Sequence, residues 1–274
     1  MSPVKRIHLF EFHDQPWFPD SFRNAAVGYL RFMSARLGIH HSLAPLVRDT
    51  LIQAALANII DLCSGASGPL IPVCRELRES GLNVSALMTD KFPNPELCRE
   101  VDQDFSLRYS ADSVDATRVP QNLIGLRTMF NAFHHFRPNE ARQILKSAVD
   151  AHQPIAIFEV PERTVTNLLA TPLIFITAVW AIIRIRPFSF SRMFFSLAVP
   201  LIPLSIAWDG MVSNLRTYSV DEALELTRGL DADYHWRAGK VPLQNIPANV
   251  TFLIGIPQRP RTESVGDRPL ARRE

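Results

Sequence analysis

Residues 58–69 read NIIDLCSGASGP: an apolar run closes on Asp61, passes through a loop of small residues and meets a proline. A short apolar run bounded by a glycine turn reads as a strand, and proline suits a first helical turn, so strand, loop and helix (69–80) follow in order. The alternation continues downstream. Residues 83–90 (NVSALMTD) predict a second strand, 95–102 a helix, 105–109 a third strand, 123–133 (LIGLRTMFNAF) a fourth, 139–151 a helix and 154–160 (PIAIFEV) a fifth. A helix over 220–228 precedes two final strands, 234–241 and 249–257. Upstream, Phe22, Ala26, Tyr29, Leu30, Met33 and Leu37 recur at helical spacing, and Pro45 opens a second expected helix running to 57.

Strands that alternate with helices need crossover connections, which predicts an α/β fold with a mainly parallel sheet covered on both faces. The last two strands are joined by residues 242–248 alone, too few for a crossover, so they are expected to pair antiparallel. Seven strands result.

Composition excludes several classes. At 274 residues and 47% apolar content the chain can fill a large core. A net charge of +2, from 29 Lys and Arg against 27 Asp and Glu, gives no field suited to nucleic acid. Cys63, Cys74 and Cys98 are odd in number and lack C-x-x-C spacing, which argues against a disulfide framework or a structural zinc site and fits reduced, cytoplasmic thiols. Glu11, His13 and Asp14 interrupt the N-terminal apolar run, so no signal peptide is expected.

Ligands of open α/β sheets bind beyond the carboxyl ends of the strands. Here Asp61 ends the first strand and Ser64, Gly65, Ala66, Ser67 and Gly68 form a loop that a ligand can approach closely. Asp90 ends the second strand, where a carboxylate can accept two ribose hydroxyls. Asp115 lies just beyond the third, placed to accept from an exocyclic amine.

In these residues the chain resembles the class I S-adenosylmethionine-dependent methyltransferases of small-molecule type, over roughly residues 58–257. The resemblance implies a Rossmann-like sheet of seven strands closed by the antiparallel pair, with S-adenosyl-L-methionine as cofactor. It implies that Asp61 and Gly65 hold the methionine moiety and Asp90 the ribose, with Cys63, Ser64, Ala66, Gly68 and Lys91 as further cofactor contacts. Asp115 and Ala116 would hold the adenine, and Asn131, after the fourth strand, counts with the cofactor contacts. The family's acidic-x-Gly-x-Gly-x-Gly loop is altered: Cys63 and Ser67 replace the first and third glycines, and Gly68 falls one place late. A nicotinamide oxidoreductase is the rival reading, disfavoured because G-x-G-x-x-G is absent.

Phe133, His134 and His135 follow the fourth strand, where related enzymes line the acceptor pocket, and a histidine there can serve as general base. The alternative is that one starts a helix and the other packs. Glu159, at the end of the fifth strand, either orients the acceptor or caps a loop. Ala132 and Phe133 stand where enzymes acting on exocyclic amines carry Pro-Pro, which disfavours such acceptors. The segment FEFHDQPWFP (10–19), with Trp17, either covers the acceptor or caps the sheet edge; Trp208 and Asp209 are further acceptor contacts, or Asp209 is a helix-start carboxylate.

Between Val165 and Trp208 the only charges are Arg184, Arg186 and Arg192. Two spanning helices would place those arginines on the far side of a membrane, against the positive-inside bias, so a hairpin lid or a shallow membrane-contacting hairpin is expected, with a buried cap or a homodimer interface as the alternative. The organisation is therefore an N-terminal helical extension (1–57), a catalytic domain (58–257) with a hydrophobic helical insertion (165–208), and a disordered tail (258–274). The expected activity is methyl transfer to a small, lipophilic acceptor. A non-catalytic, membrane-associated member of the same fold is the other reading.

Overall fold

A computed structural model describes residues 4–65, 68–93, 106–230 and 233–258. The expected helix over 95–102, position 105, Ala66, Ser67, Cys98 and the tail from 259 lie outside those residues. Strands β1 (Asn58–Asp61), β2 (Ser85–Met88), β3 (Leu107–Tyr109), β4 (Leu126–Phe130), β5 (Ile155–Glu159), β6 (Tyr234–Pro242) and β7 (Asn249–Pro257) form one sheet in the order β3-β2-β1-β4-β5-β7-β6. Strands β1 to β5 pair in parallel, whereas β7 runs antiparallel to both β5 and β6. A dinucleotide-binding sheet of order 3-2-1-4-5-6 has no reversed strand inserted there.

Alternate residues of each strand face opposite layers. Ile59, Met88, Leu126 and Phe158 join α2 (Ile39–Ala54) and α3 (Leu70–Glu79) through Leu43, Val47, Leu51, Val73 and Leu77. Ile60, Met129, Ile155 and Ile157 instead meet α4 (Pro138–Asp150) and α9 (Val220–Thr227) through Ile144, Leu145, Ala148 and Ala223. Both faces are covered, as the alternation of elements requires.

Two boundaries differ from the expected ones. Helix α2 begins at Ile39, directly after Gly38 at φ 61° ends α1 (Asp20–Leu37), and carries Pro45 in its interior rather than at its start. Its apolar face, with Leu43 and Val47 buried against the sheet, outweighs the lost helical hydrogen bond. Strand β4 is cut to Leu126–Phe130 because Gly125 at φ 155° and Asn131 at φ 51° break the extended backbone on either side. His134 and His135 then lie in a 3₁₀ turn, Phe133–His135, and not at the start of α4.

The apolar segment folds into α5 (Val165–Leu169), α6 (Thr171–Ile182), α7 (Phe190–Met193), a π turn (Phe194–Ala198) and α8 (Leu201–Arg216). Helices α6 and α8 pack on α1 through Ala25, Ala26, Tyr29, Ala178, Ala181, Ile182, Ile202 and Ile206. The small side chains let the helices approach: a Cβ on Gly210 would sit 2.8 Å from Ile174 Cδ1. Among the described residues no single helix is long and apolar enough to cross a membrane; one pair, Phe190–Ala198 and Leu201–Arg216, passes by length and composition but bends by 73°.

Candidate active site

The carboxyl ends of β1, β2 and β4 build one rim. After β1 the backbone turns through Cys63 (φ 55°), Gly65 (φ 48°) and Gly68 (φ 41°), and side chains built on either glycine would meet nothing within 4 Å among the described residues. The loop therefore borders open space. Ser64 N–H donates to the Thr89 carbonyl at 3.0 Å and Thr89 N–H to the Asp61 carbonyl at 2.8 Å, which ties the loop to the end of β2.

Asp61 does not face that space. Its carboxyl is 2% exposed and accepts from the hydroxyls of Ser64 and Thr128, each at 2.6 Å, and burial pushes its pKa up to about 7. It locks the loop onto β4 and leaves ligand contacts to its neighbours. Asp90 faces the loop: Oδ2 accepts from Gly65 N–H at 3.0 Å and Oδ1 from Phe92 N–H at 2.9 Å. A carboxylate offers about four acceptor sites, so two remain for hydroxyls of a ligand.

Asp115 is paired with Lys91 Nζ at 2.9 Å and accepts from the Thr117 N–H and hydroxyl at 2.9 and 2.6 Å. The Thr117 hydroxyl and Lys91 hold its pKa down to about 2. Ala116 is buried beneath it. Burial pushes the Cys63 thiol up, so it stays protonated and inert. Asn131 accepts from Val160 N–H at 2.8 Å through Oδ1 and thus braces β4 against the chain leaving β5. Tyr109, whose hydroxyl donates to the Gly65 carbonyl at 3.2 Å, is a rim residue that sequence reasoning missed; no local signal marks it. Open space over two left-handed glycines, flanked by carboxylates with spare acceptor capacity, fits an amino-acid tail, a ribose and an adenine.

Beyond β4 and β5 stands a second cluster. Glu159, 5% exposed, accepts from Phe133 N–H at 2.7 Å and lies 2.6 Å from His134 Nδ1. His135 Nδ1 is 3.1 Å from Asp14. Phe133 packs into the core beside Tyr218 with ring centroids 5.4 Å apart, so its side chain supports the turn from below.

The 10–19 segment forms an arm along α8. Asp209, the ninth residue of α8 and not a helix-start residue, accepts from Phe12 and His13 N–H at 2.7 and 3.1 Å, and burial pushes its pKa up to about 6. Trp208 Nε1 donates to the Phe10 carbonyl at 3.0 Å, while Trp17 is 65% exposed against Phe12 and Phe18. Arg216, 3% exposed, donates to the Leu9 carbonyl at 2.7 Å and pairs with Asp14 at 2.8 Å and Glu11 at 3.3 Å. Burial pushes Glu11 up to about 7 against the pull of His135 and Arg216. Burial opposes the ionised form of Asp14 too, but hydrogen bonds from His135 and Arg216 hold it well below the usual carboxylate range. The structure thus brings Trp208 and Asp209 to the arm, and His134, His135 and Glu159 to one cluster beside it.

No family model and no curated protein matches the chain. Among solved structures, the plantazolicin methyltransferase BpumL in complex with SAH is similar, with a TM-score of 0.52 over 90% of this chain and 92% of that one at 9% identity. A second BpumL structure, with a monoazolic desmethylPZN analog and SAH, aligns at TM-score 0.49, 9% identity, 87% of this chain and 98% of that one. The CMeT domain of the citrinin polyketide synthase aligns at 0.46 and 10% identity, covering 74% and 47%. The first likeness, with the reversed β7, establishes the class I methyltransferase fold.

Proposed function

We propose that the chain transfers a methyl group from S-adenosyl-L-methionine to a small, lipophilic acceptor. What carries the reading is the rim: Asp90 anchored on Gly65 N–H, beside open space over Gly65 and Gly68 and one strand away from the Lys91–Asp115 pair. Asp90 would hold the ribose, the Asp115–Ala116 turn the adenine, and the loop backbone the amino-acid tail. The cofactor supplies an electrophilic methyl on a sulfonium. The protein's part is placement of acceptor and methyl in line, together with exclusion of water. Where an acceptor hydroxyl must lose a proton, His135 is the base: it is partly exposed, and Asp14 on Nδ1 leaves Nε2 to receive the proton.

The lipophilic acceptor rests on the outer face of the apolar segment. Leu169, Leu173, Ile176, Phe188 and Phe190 are exposed, Phe190 by 79%, and the neighbouring charges are the exposed Arg184 and Arg186, with no acid between Val165 and Trp208. Such a face suits shallow contact of a cytosolic enzyme with an anionic membrane surface, from which an apolar acceptor is taken.

Calorimetric titration with S-adenosylmethionine and S-adenosylhomocysteine tests the core of this. Binding to the wild type and a loss of more than about tenfold in Asp90→Ala are expected, since a charged acceptor hydrogen bond is worth roughly 1.5–3 kcal/mol. Equal affinity in Asp90→Ala, or binding of a nicotinamide dinucleotide instead, refutes it. Full retention in the supernatant with phosphatidylserine-rich vesicles at low salt would remove the membrane half alone.

A further inference from the structure

Two histidines in the turn after β4 are presented in the same unusual way. His134 Nδ1 lies 2.6 Å from Glu159 and His135 Nδ1 lies 3.1 Å from Asp14. Glu159 on His134 Nδ1 fixes the proton there and leaves the lone pair on Nε2; at His135, Asp14 favours the same tautomer against the Arg216 guanidinium, 3.3 Å from Nδ1. Both Nε2 atoms face one further carboxylate: His134 Nε2 is 3.9 Å from Glu11 Oε1 and His135 Nε2 is 3.8 Å from Glu11 Oε2. These separations are too long for hydrogen bonds. Two donors that each lie about 2.1 Å from a common tetrahedral ion stand about 3.4 Å apart, so closing in by about half an ångström brings these pairs to a bridged span.

Among the described residues His134 Nε2 has no hydrogen-bond partner, although the side chain is only 3% exposed. A buried polar atom without a partner is costly, and this one is aimed at a carboxylate rather than at an apolar wall. One donor atom from each of Glu11, His134 and His135 lies within 4.8 Å of the others. Arg216 and the Ser213 hydroxyl engage Oε1 of Glu11, at 3.3 and 3.1 Å, so Oε2 is the oxygen that looks toward His135. That guanidinium is itself paired with Glu11 and Asp14, at 3.3 and 2.8 Å.

We propose that Glu11, His134 and His135 form a binding site for a divalent transition-metal ion, with zinc as its natural probe. Two imidazoles and one carboxylate, each imidazole backed by a second carboxylate, suit a borderline-soft ion and leave a coordination position for water or ligand. The site clips the N-terminal arm to the β4 turn. It stands whether or not the chain transfers methyl groups; if His135 is the base, the ion competes with the proton for the same lone pair and turnover falls as the site fills.

The experiment is calorimetric titration of the chelator-stripped full chain with Zn²⁺. One equivalent is expected, weakened by more than about tenfold in Glu11→Gln and His135→Asn and by about tenfold in Glu159→Gln, the usual effect of removing an orienting carboxylate. His41→Asn should bind as the wild type does, because in the solvent-open His40–His41–Glu76 cluster the one carboxylate is spent as the partner of His41 Nδ1, at 3.0 Å, and is not left over as a ligand. Should a variant fail to fold, histidine imidazole NMR of the wild type reads the site directly: two Nε2 signals shift with Zn²⁺ while both Nδ1 protons persist. No stoichiometric binding, binding unchanged in Glu11→Gln and His135→Asn, or loss confined to His41→Asn overturns the proposal. Cofactor titration of the same samples fails or succeeds separately, so the two readings are judged apart.

Discussion

Replacing Asp61 with asparagine should stabilise the protein at alkaline pH. The buried carboxyl has its pKa pushed up from 3.8 to about 7, with burial outweighing the Ser64 and Thr128 hydroxyls. The native state then holds a proton that the unfolded chain has released, so the stability from this group is full below about pH 4, declines as pH rises and levels off above about 7. Three pKa units correspond to roughly 4 kcal/mol. Asparagine reproduces the neutral form, since both hydroxyls can rotate and Ser64 Oγ has an alternative acceptor in the Asp61 carbonyl at 3.0 Å. The variant should match the wild type near pH 4 and exceed it by up to about 4 kcal/mol at pH 8. With a urea slope near 3 kcal/mol per molar, that is a midpoint shift on the order of 1 M. Glu11 and Asp209 titrate in the same window but cancel in the difference between the two chains. A variant less stable than the wild type at pH 8, or a difference that does not vary with pH, would mean that Asp61 is ionised and its hydroxyl donors prevail.

Two further substitutions probe the frame. Gly125→Ala forces a φ of 155° on a residue with a Cβ and brings that atom 2.8 Å from the Asn58 carbonyl oxygen, so a loss of more than about 2 kcal/mol is expected in urea unfolding; a neutral result would show that β4 can start elsewhere. Arg216→Met leaves Glu11 and Asp14 without their cation, and removing one partner of a buried pair costs about 3–5 kcal/mol, seen as a lower Tm and faster proteolysis of the arm; an unchanged cleavage rate would contradict the latch.

The order of elements was legible because the first, second and fifth apolar runs close on Asp61, Asp90 and Glu159, and the segments 69–80 and 139–151 carry a helical period. The places of Asp90, just past β2, and Asp115, in the turn beyond β3, were legible from the same pattern. The orientation of Asp61 was not: it depends on Thr128, 67 positions away and unremarkable in its own strand. The start of α2 was misplaced because Pro45 reads as a local start signal, whereas burial of Leu43 and Val47 extends the helix upstream. Asp14 and Arg216 meet across 202 positions, and no periodicity links an N-terminal turn to the end of a late helix.

That long-range latch sets a schedule for synthesis. Glu11 leaves the ribosome about 200 residues before the end of α8, and its buried place is not built until α8 has emerged. At roughly 5–20 residues per second the first segment waits about 10–40 s, undocked, with Phe10, Phe12, Trp17 and Phe18 in water. During that interval the nascent chain displays an aromatic segment that a ribosome-bound chaperone is suited to cover, and a ribosomal pause before Arg216 would prolong the exposure in proportion.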